Sequence, residues 1–179
     1  MPTQQATKIG DIMTKKLETV GSSSTAQHAA IKMRDKQVSS ILVMDDRDDT
    51  PQGIVTERDL SRKVCVSDKS SKELLASQIM SSPLITVNAD SSPSDAADLM
   101  LKNKVRHLLV IVKESNQDTN KKEVENYERI IKKPVGIITP MDFTRFKVST
   151  TADPDTKDDD EDNGIEKILD YYRDDFNFA

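Results

Sequence analysis

The chain carries its own first half twice. Residues 12–44 align with residues 79–111 at a constant offset of 67 without a gap, and 12 of the 33 positions are identical. The identities include Ile12-Met13 with Ile79-Met80, Thr19-Val20 with Thr86-Val87, Ala29-Ala30 with Ala96-Ala97, and Leu42-Val43 with Leu109-Val110. The match resumes at an offset of 83, where GIVTERD (Gly53–Asp59) meets GIITPMD (Gly136–Asp142), so the second copy holds 16 additional residues. Two similar units in one chain usually pack about a pseudo-two-fold axis, and such an axis creates a pair of equivalent clefts.

Each copy alone, at about 60 residues, would bury a marginal core. The expectation is therefore that both share one core within the 179 residues. The longest apolar run, Leu108–Val112, is far short of the ~20 residues that cross a bilayer. The first residues hold no apolar secretory segment. The single cysteine, Cys65, has no partner for an internal disulfide, and a packing role is expected for it. These features point to a cytoplasmic protein without membrane association. The formal net charge of −5 divides unevenly: residues 148–179 hold 11 acids against 3 bases, while residues 1–147 hold 20 acids against 23 bases. The mildly basic body is too weakly charged to argue for nucleic acid, although it favours a small anion in a local cleft.

Periodicity yields the same element order in both copies: strand, helix, strand, strand, helix. In the first, Leu17–Val20 reads as extended, and Ser22–Thr25 supply N-cap candidates, with Ser24 and Gln27 fitting a capping box. A helix through Ala26, Ala29, Ala30 and Met33 follows. Ser40–Met44 and Gly53–Thr56 are strands around a polar turn at Asp45–Asp49, and Glu57–Val64 opens a second helix. In the second copy the elements are Leu84–Val87, Pro93–Lys104, His107–Val112, Val135–Thr139 and Pro140–Phe146, with Ser92-Pro93 a favourable helix start. The expected fold is α+β: two tandem β-α-β-β-α repeats packed sheet to sheet with pseudo-two-fold symmetry. The boundaries are residues 8–66 for the first repeat, 67–75 for a linker and 76–147 for the second repeat. An inserted surface protrusion falls at about 113–132. An acidic disordered linker (148–163) precedes an amphipathic helix (164–179) carrying Ile165, Ile168, Leu169, Tyr172 and Phe176, which is expected to dock back onto the body or a second copy.

The residues that could carry chemistry are the repeated Thr-x-x-Asp pairs, Thr56 with Asp59 and Thr139 with Asp142, each at a strand-to-helix junction. One reading is a capping box, which satisfies orphan N–H groups without a ligand. The other is a ligand site in which the hydroxyl meets a phosphate and the carboxylate accepts hydrogen bonds from a ribose diol. Arg106-His107, at the entrance to an apolar strand, could clamp phosphate oxygens; the first copy has Ser39-Ser40 there. His28 reads as structural or exposed. Catalytic signatures are missing: the sequence has two histidines and no GxSxG, GxxxxGK[ST], HExxH or CxxC pattern. An enzyme is not expected.

With these residues in view, IxxIM near Ile9–Met13 followed by the Thr-Val strand, the Ala-Ala helix, the apolar strand and GIVTERDL resembles a CBS domain. The segment from Ile79-Met80 through GIITPMDF resembles a second. The resemblance covers roughly residues 8–147. It implies a regulatory CBS pair (a Bateman-type module) that binds an adenosine-containing ligand, AMP, ADP, ATP or S-adenosylmethionine, in clefts between the motifs. It also implies signalling by conformational change, a homodimer and an unidentified effector protein. Carried onto this chain, one cleft takes Thr56, Arg58, Asp59, Ile85, Thr86, Val105, Arg106 and His107. Ile85 and Val105 flank the adenine, Asp59 holds the ribose, and Thr56, Arg106 and His107 face phosphate. The other takes Glu18, Thr19, Val38, Ser39, Ser40, Thr139 and Asp142. The basic pair leads to the expectation that a phosphorylated adenosine prefers the first cleft. With no effector domain within the 179 residues, a stand-alone sensor is expected. No cofactor or metal is required. The competing reading is a structural interaction protein with empty clefts that works through its C-terminal helix.

Overall fold

The computed structural model describes residues 7–113, 132–150 and 159–172. These form a mixed α+β structure in two compact units. One contains residues 16–84 and the other residues up to 15 together with those from 85 onward.

In the first of these units, β1 (Thr19–Gly21) lies parallel to β2 (Ser40–Met44), which lies antiparallel to β3 (Pro51–Thr56). Between the first two strands runs α2 (Ala26–Lys36), whose Ala26, Ala29 and Met33 face the core with Ile41, Val43 and Val55. The helix starts one residue later than the Ser24/Gln27 box predicts. Thr25 is the N-cap, and its hydroxyl accepts the His28 N–H at 3.1 Å. β3 passes into a single α-turn, α3 (Glu57–Asp59), which continues as a π-helical turn over Leu60–Val64. Cys65, at the end of that turn, none of whose residues is buried, is exposed rather than packed.

The other unit repeats the plan. β4 (Thr86–Asn88) is parallel to β5 (Leu108–Lys113), which is antiparallel to β6 (Lys132–Ile138); α5 (Pro93–Asn103) links the first two. Ser92 caps α5 with a reciprocal Asp95 contact and Pro93 at its first position. The sequence repeat extends to irregularities: both central strands shift register at equivalent places, Val43/Met44 and Val110/Ile111. β6 leads into α6 (Pro140–Thr150), and α7 (Asp159–Tyr171) packs against α5. Phe143, Met100, Leu108, Ile138, Ile165 and Ile168 are buried together. Most of the insertion (114–131), the middle of the acidic segment (151–158) and residues 173–179, including Phe176, lie outside the described residues.

Two short helices not foreseen from periodicity, α1 (Ile9–Ile12) and α4 (Ala76–Ile79), explain why the compact units and the sequence repeats are cut differently. Each precedes one repeat but packs in the unit built from the other. Ser81, just after α4, bridges Ile54 of β3, and Thr14, just after α1, bridges Ile137 of β6. Glycine makes this approach feasible. A Cβ on Gly53 would stand 2.9 Å from the Ser81 carbonyl oxygen, and one on Gly136 would stand 2.9 Å from that of Thr14. Such a contact is too close for a real Cβ, and the obstacle is backbone, which yields only if the bridge shifts. Gly53→Ala is therefore expected to destabilise its unit by about 1–3 kcal/mol, read as a lower melting temperature; an unchanged melting temperature would mean the bridge is not held this tightly.

Candidate functional site

The strand-to-helix turn of the 16–84 unit places Thr56 and Asp59 in a closed polar network. Asp59 is 6% exposed. Its Oδ2 accepts the Thr56 N–H (2.9 Å) and the Thr56 hydroxyl (2.6 Å). Its Oδ1 accepts the Ser81 hydroxyl (2.8 Å) and the Lys63 ammonium (2.8 Å). Lys63 Nζ also donates to the carbonyls of Ile79 (2.8 Å) and Met80 (3.0 Å). Burial by itself would push the Asp59 carboxyl up, but hydrogen bonds from Lys63, Thr56 and Ser81 outweigh it and hold the group below the ordinary carboxylate range. The capping-box reading of Thr56 and Asp59 is realised: Asp59 N–H donates back to Thr56 Oγ1 at 3.2 Å.

The equivalent turn in the other unit is built alike but less completely. Asp142, 4% exposed, accepts the Thr139 N–H and the Thr139 hydroxyl on Oδ2, both at 2.8 Å. Its Oδ1 accepts the Thr14 hydroxyl at 3.1 Å. Arg145 Nη1 stands 3.9 Å away, too far for a hydrogen bond. Thr14 and Ser81 are equivalents at the offset of 67, so the residue after each short helix supplies a hydroxyl to an acid far along the chain.

The remaining candidate residues follow the C-termini of α2 and α5. Both helices end on a left-handed residue with a long polar side chain, Gln37 (φ 54°) and Lys104 (φ 55°). The next N–H in each case returns to the helix, Val38 to Met33 O and Val105 to Met100 O, both at 3.0 Å. This turn fixes the direction in which Val38-Ser39-Ser40 and Val105-Arg106-His107 enter their strands. Ser40 is buried, Ser39 is exposed, and Val38, Val105, Arg106 and His107 are half-buried. Arg58, Ile85, Thr86 and Thr19 are half-buried as well. Glu18 is within 3.5 Å of Lys16 and 3.9 Å of Lys32, and Lys32 also donates to the Thr19 carbonyl at 2.6 Å. His28 is exposed.

Family-model comparison matches a CBS domain at residues 9–65 and again at 76–121. The chain belongs to the CBS domain family. As a tandem CBS pair it is 34% identical over 107 residues to an uncharacterised protein of Methanopyrus kandleri, a match covering 60% of this chain and 54% of the relative. The chain thus spans about half the length of that relative. Among solved structures, a conserved CBS domain protein of Thermoplasma acidophilum aligns with a TM-score of 0.68 at 20% identity, covering 94% of this chain and 78% of the other, a likeness of fold. An uncharacterised conserved protein of Pyrococcus horikoshii aligns with a TM-score of 0.63 at 26% identity, covering 81% and 95%. CBS domains are regulatory modules that generally bind small molecules and can oligomerise. Among the described residues, no helix of this CBS pair is long and apolar enough to cross a membrane.

Several residues of these turns were not singled out from the sequence. Ser81 and Thr14 carry no local signal; only their equivalence in the repeat marks them. Lys63 stands four residues after Asp59, a spacing at which an acid and a lysine meet on one helix face. Tyr172 was assigned to an apolar stripe, yet its hydroxyl donates to the Val105 carbonyl at 3.0 Å and its ring lies 6.0 Å from the Arg106 guanidinium carbon.

Proposed function

We propose that this CBS pair is a regulatory module that binds an adenosine-containing ligand (AMP, ADP, ATP or S-adenosylmethionine) and signals by a change of conformation. The observation that carries this reading is the duplicated acid. A buried carboxylate follows the same strand in both units, held beside a threonine hydroxyl, and a buried acid of this kind is suited to accept hydrogen bonds from a ribose diol. Asp59 or Asp142 holds the sugar; Ile85 and Val105 flank the base at the Asp59 site; Thr56, Arg106 and His107 face phosphate there. Binding to one arrangement of the module better than another shifts its population, and that shift is the signal. A homodimer, an effector protein and a cytoplasmic location belong to the same reading. The alternative, an interaction protein acting through its C-terminal helix, is less well supported. The apolar residues Ile165, Ile168 and Tyr172 of that segment are already buried within their own unit.

The test is a melting experiment with adenosine, AMP, ADP, ATP and S-adenosylmethionine, using GMP as the control. A ligand at a hundredfold excess over its dissociation constant stabilises the folded state by about 2.7 kcal/mol. A rise in melting temperature is expected with at least one adenosine compound. No shift with any of them at millimolar concentration would reject the reading.

A further inference from the structure

The two equivalent acids differ in what they have left to offer. A carboxylate provides about four acceptor positions. Asp59 has four donors on it, two per oxygen: Thr56 N–H, Thr56 hydroxyl, Ser81 hydroxyl and Lys63 ammonium. Asp142 has three, Thr139 N–H, Thr139 hydroxyl and Thr14 hydroxyl. The difference is Lys63, whose counterpart at the offset of 83 is Phe146. Lys63 is itself saturated, since its three protons are matched by Asp59 and by the Ile79 and Met80 carbonyls.

We infer that Lys63 selects between the two acids: it closes Asp59 to a ribose diol and leaves Asp142 as the acid that takes an adenosine-containing ligand. This rests on the reading of the module as an adenosine binder and departs from the expectation that Arg106-His107 draws the ligand to the Asp59 site. The exchange chemistry decides it. For a sugar hydroxyl to reach Asp59 Oδ1, a neutral donor must replace either a charged one or a 2.8 Å hydroxyl contact already in place. Charge-assisted hydrogen bonds are roughly twice as strong as neutral ones, so replacing the ammonium is unfavourable. Withdrawing Lys63 would also break its hydrogen bonds to the Ile79 and Met80 carbonyls. At Asp142 one hydroxyl of the diol meets an open acceptor position. The other displaces the Thr14 hydroxyl, a neutral donor that makes the longest hydrogen bond accepted by either carboxylate, 3.1 Å.

The experiment is calorimetric titration of adenosine into the full chain and its variants, each first shown to melt cooperatively without ligand. The wild type is expected to bind one equivalent per chain, and Asp142→Asn to weaken that binding by about tenfold or more. Lys63→Met is expected to add a second equivalent, and Lys63→Met combined with Asp59→Asn to return the count to one. Lys63→Gln, which keeps a donor toward the Ile79 and Met80 carbonyls, carries the same expectation where Lys63→Met does not fold. Unchanged stoichiometry in a folded Lys63 variant, or wild-type affinity in Asp142→Asn, would overturn selection by Lys63 while the adenosine reading stands. Failure of wild type and Lys63 variants alike to bind adenosine, AMP, ADP, ATP or S-adenosylmethionine would overturn both.

Discussion

Replacing Ile168 by alanine is expected to lower the stability of the unit containing α5 and α7 by about 2–5 kcal/mol and to release α7 from it. Ile168 is fully buried in the core that also holds Ile165, Tyr172, Ala97 and Met100. The truncation removes three methyl or methylene groups from a packed site, and the loss comprises their transfer free energy together with the cavity left behind. The effect extends beyond one residue because α7 spans 13 residues, and a helix of that length is marginal in water without its docking partner. Once α7 leaves, Tyr172 leaves with it, and the Val105 carbonyl and Arg106 lose the hydroxyl and the ring that hold them. The melting curve of Ile168→Ala should therefore shift down. Amide exchange should quicken through residues 159–172 and also around Val105 and Arg106. Rapid exchange confined to residues 159–172 would show that α7 is docked but does not brace the turn after α5.

Much of this architecture could be read from residues alone because the repeat supplies two independent views of each element. Ser40–Met44 is a strand in both readings, and Ser92-Pro93 starts α5 as its turn chemistry dictates. The departures have local causes. Ser24 and Thr25 are both competent caps, and the choice between them depends on where the chain enters from β1. β3 and β6 begin earlier than apolar runs suggest, since Pro51, opposite Met44, and Lys132-Lys133, opposite Lys113 and Val112, pair through the backbone, which side-chain hydropathy does not report. The π-helical turn after Asp59 has no hydropathic signature. α1 and α4 are a single turn each, too short for a helical period to show.

The polar turns were partly legible for a related reason. Thr-x-x-Asp names the cap and the acid, because both functions act across three residues. The donors that complete each acid come from positions 22 and 128 residues away, Ser81 for Asp59 and Thr14 for Asp142. No local pattern encodes that pairing. It becomes visible only with the close approach at Gly53 and Gly136, where the absence of a Cβ allows the strand and the incoming segment to touch. Lys63 lay within reach of a helical-spacing argument, but its two carbonyl contacts, which turn an ordinary i,i+4 pair into a closed network, did not.

That network makes Asp59 a pH-dependent clasp, and Asp59→Ala is expected to destabilise the 16–84 unit by about 3 kcal/mol at neutral pH. The substitution leaves the Thr56 N–H, two hydroxyls and the Lys63 ammonium without their acceptor. Lys63 is 39% exposed, so solvent screens part of its loss and the full cost of a buried, unpaired charge does not apply. The larger share comes from the Thr56 donors, which are buried. The pH dependence follows from the depressed native pKa of Asp59. An unfolded Asp titrates near about 3.9; below that value the unfolded chain binds a proton before the native one does. The charge-dependent contribution is thus fully present above about pH 4–5 and is lost as pH falls through the lower native value. Measured from pH 7 down to pH 2, the stability difference between wild type and Asp59→Asn, which removes the charge while keeping an acceptor oxygen, should be constant near neutrality and shrink in acid. A difference that stays constant across the acid range would show that the native carboxyl is not held below its ordinary value, and the clasp would then be packing rather than charge.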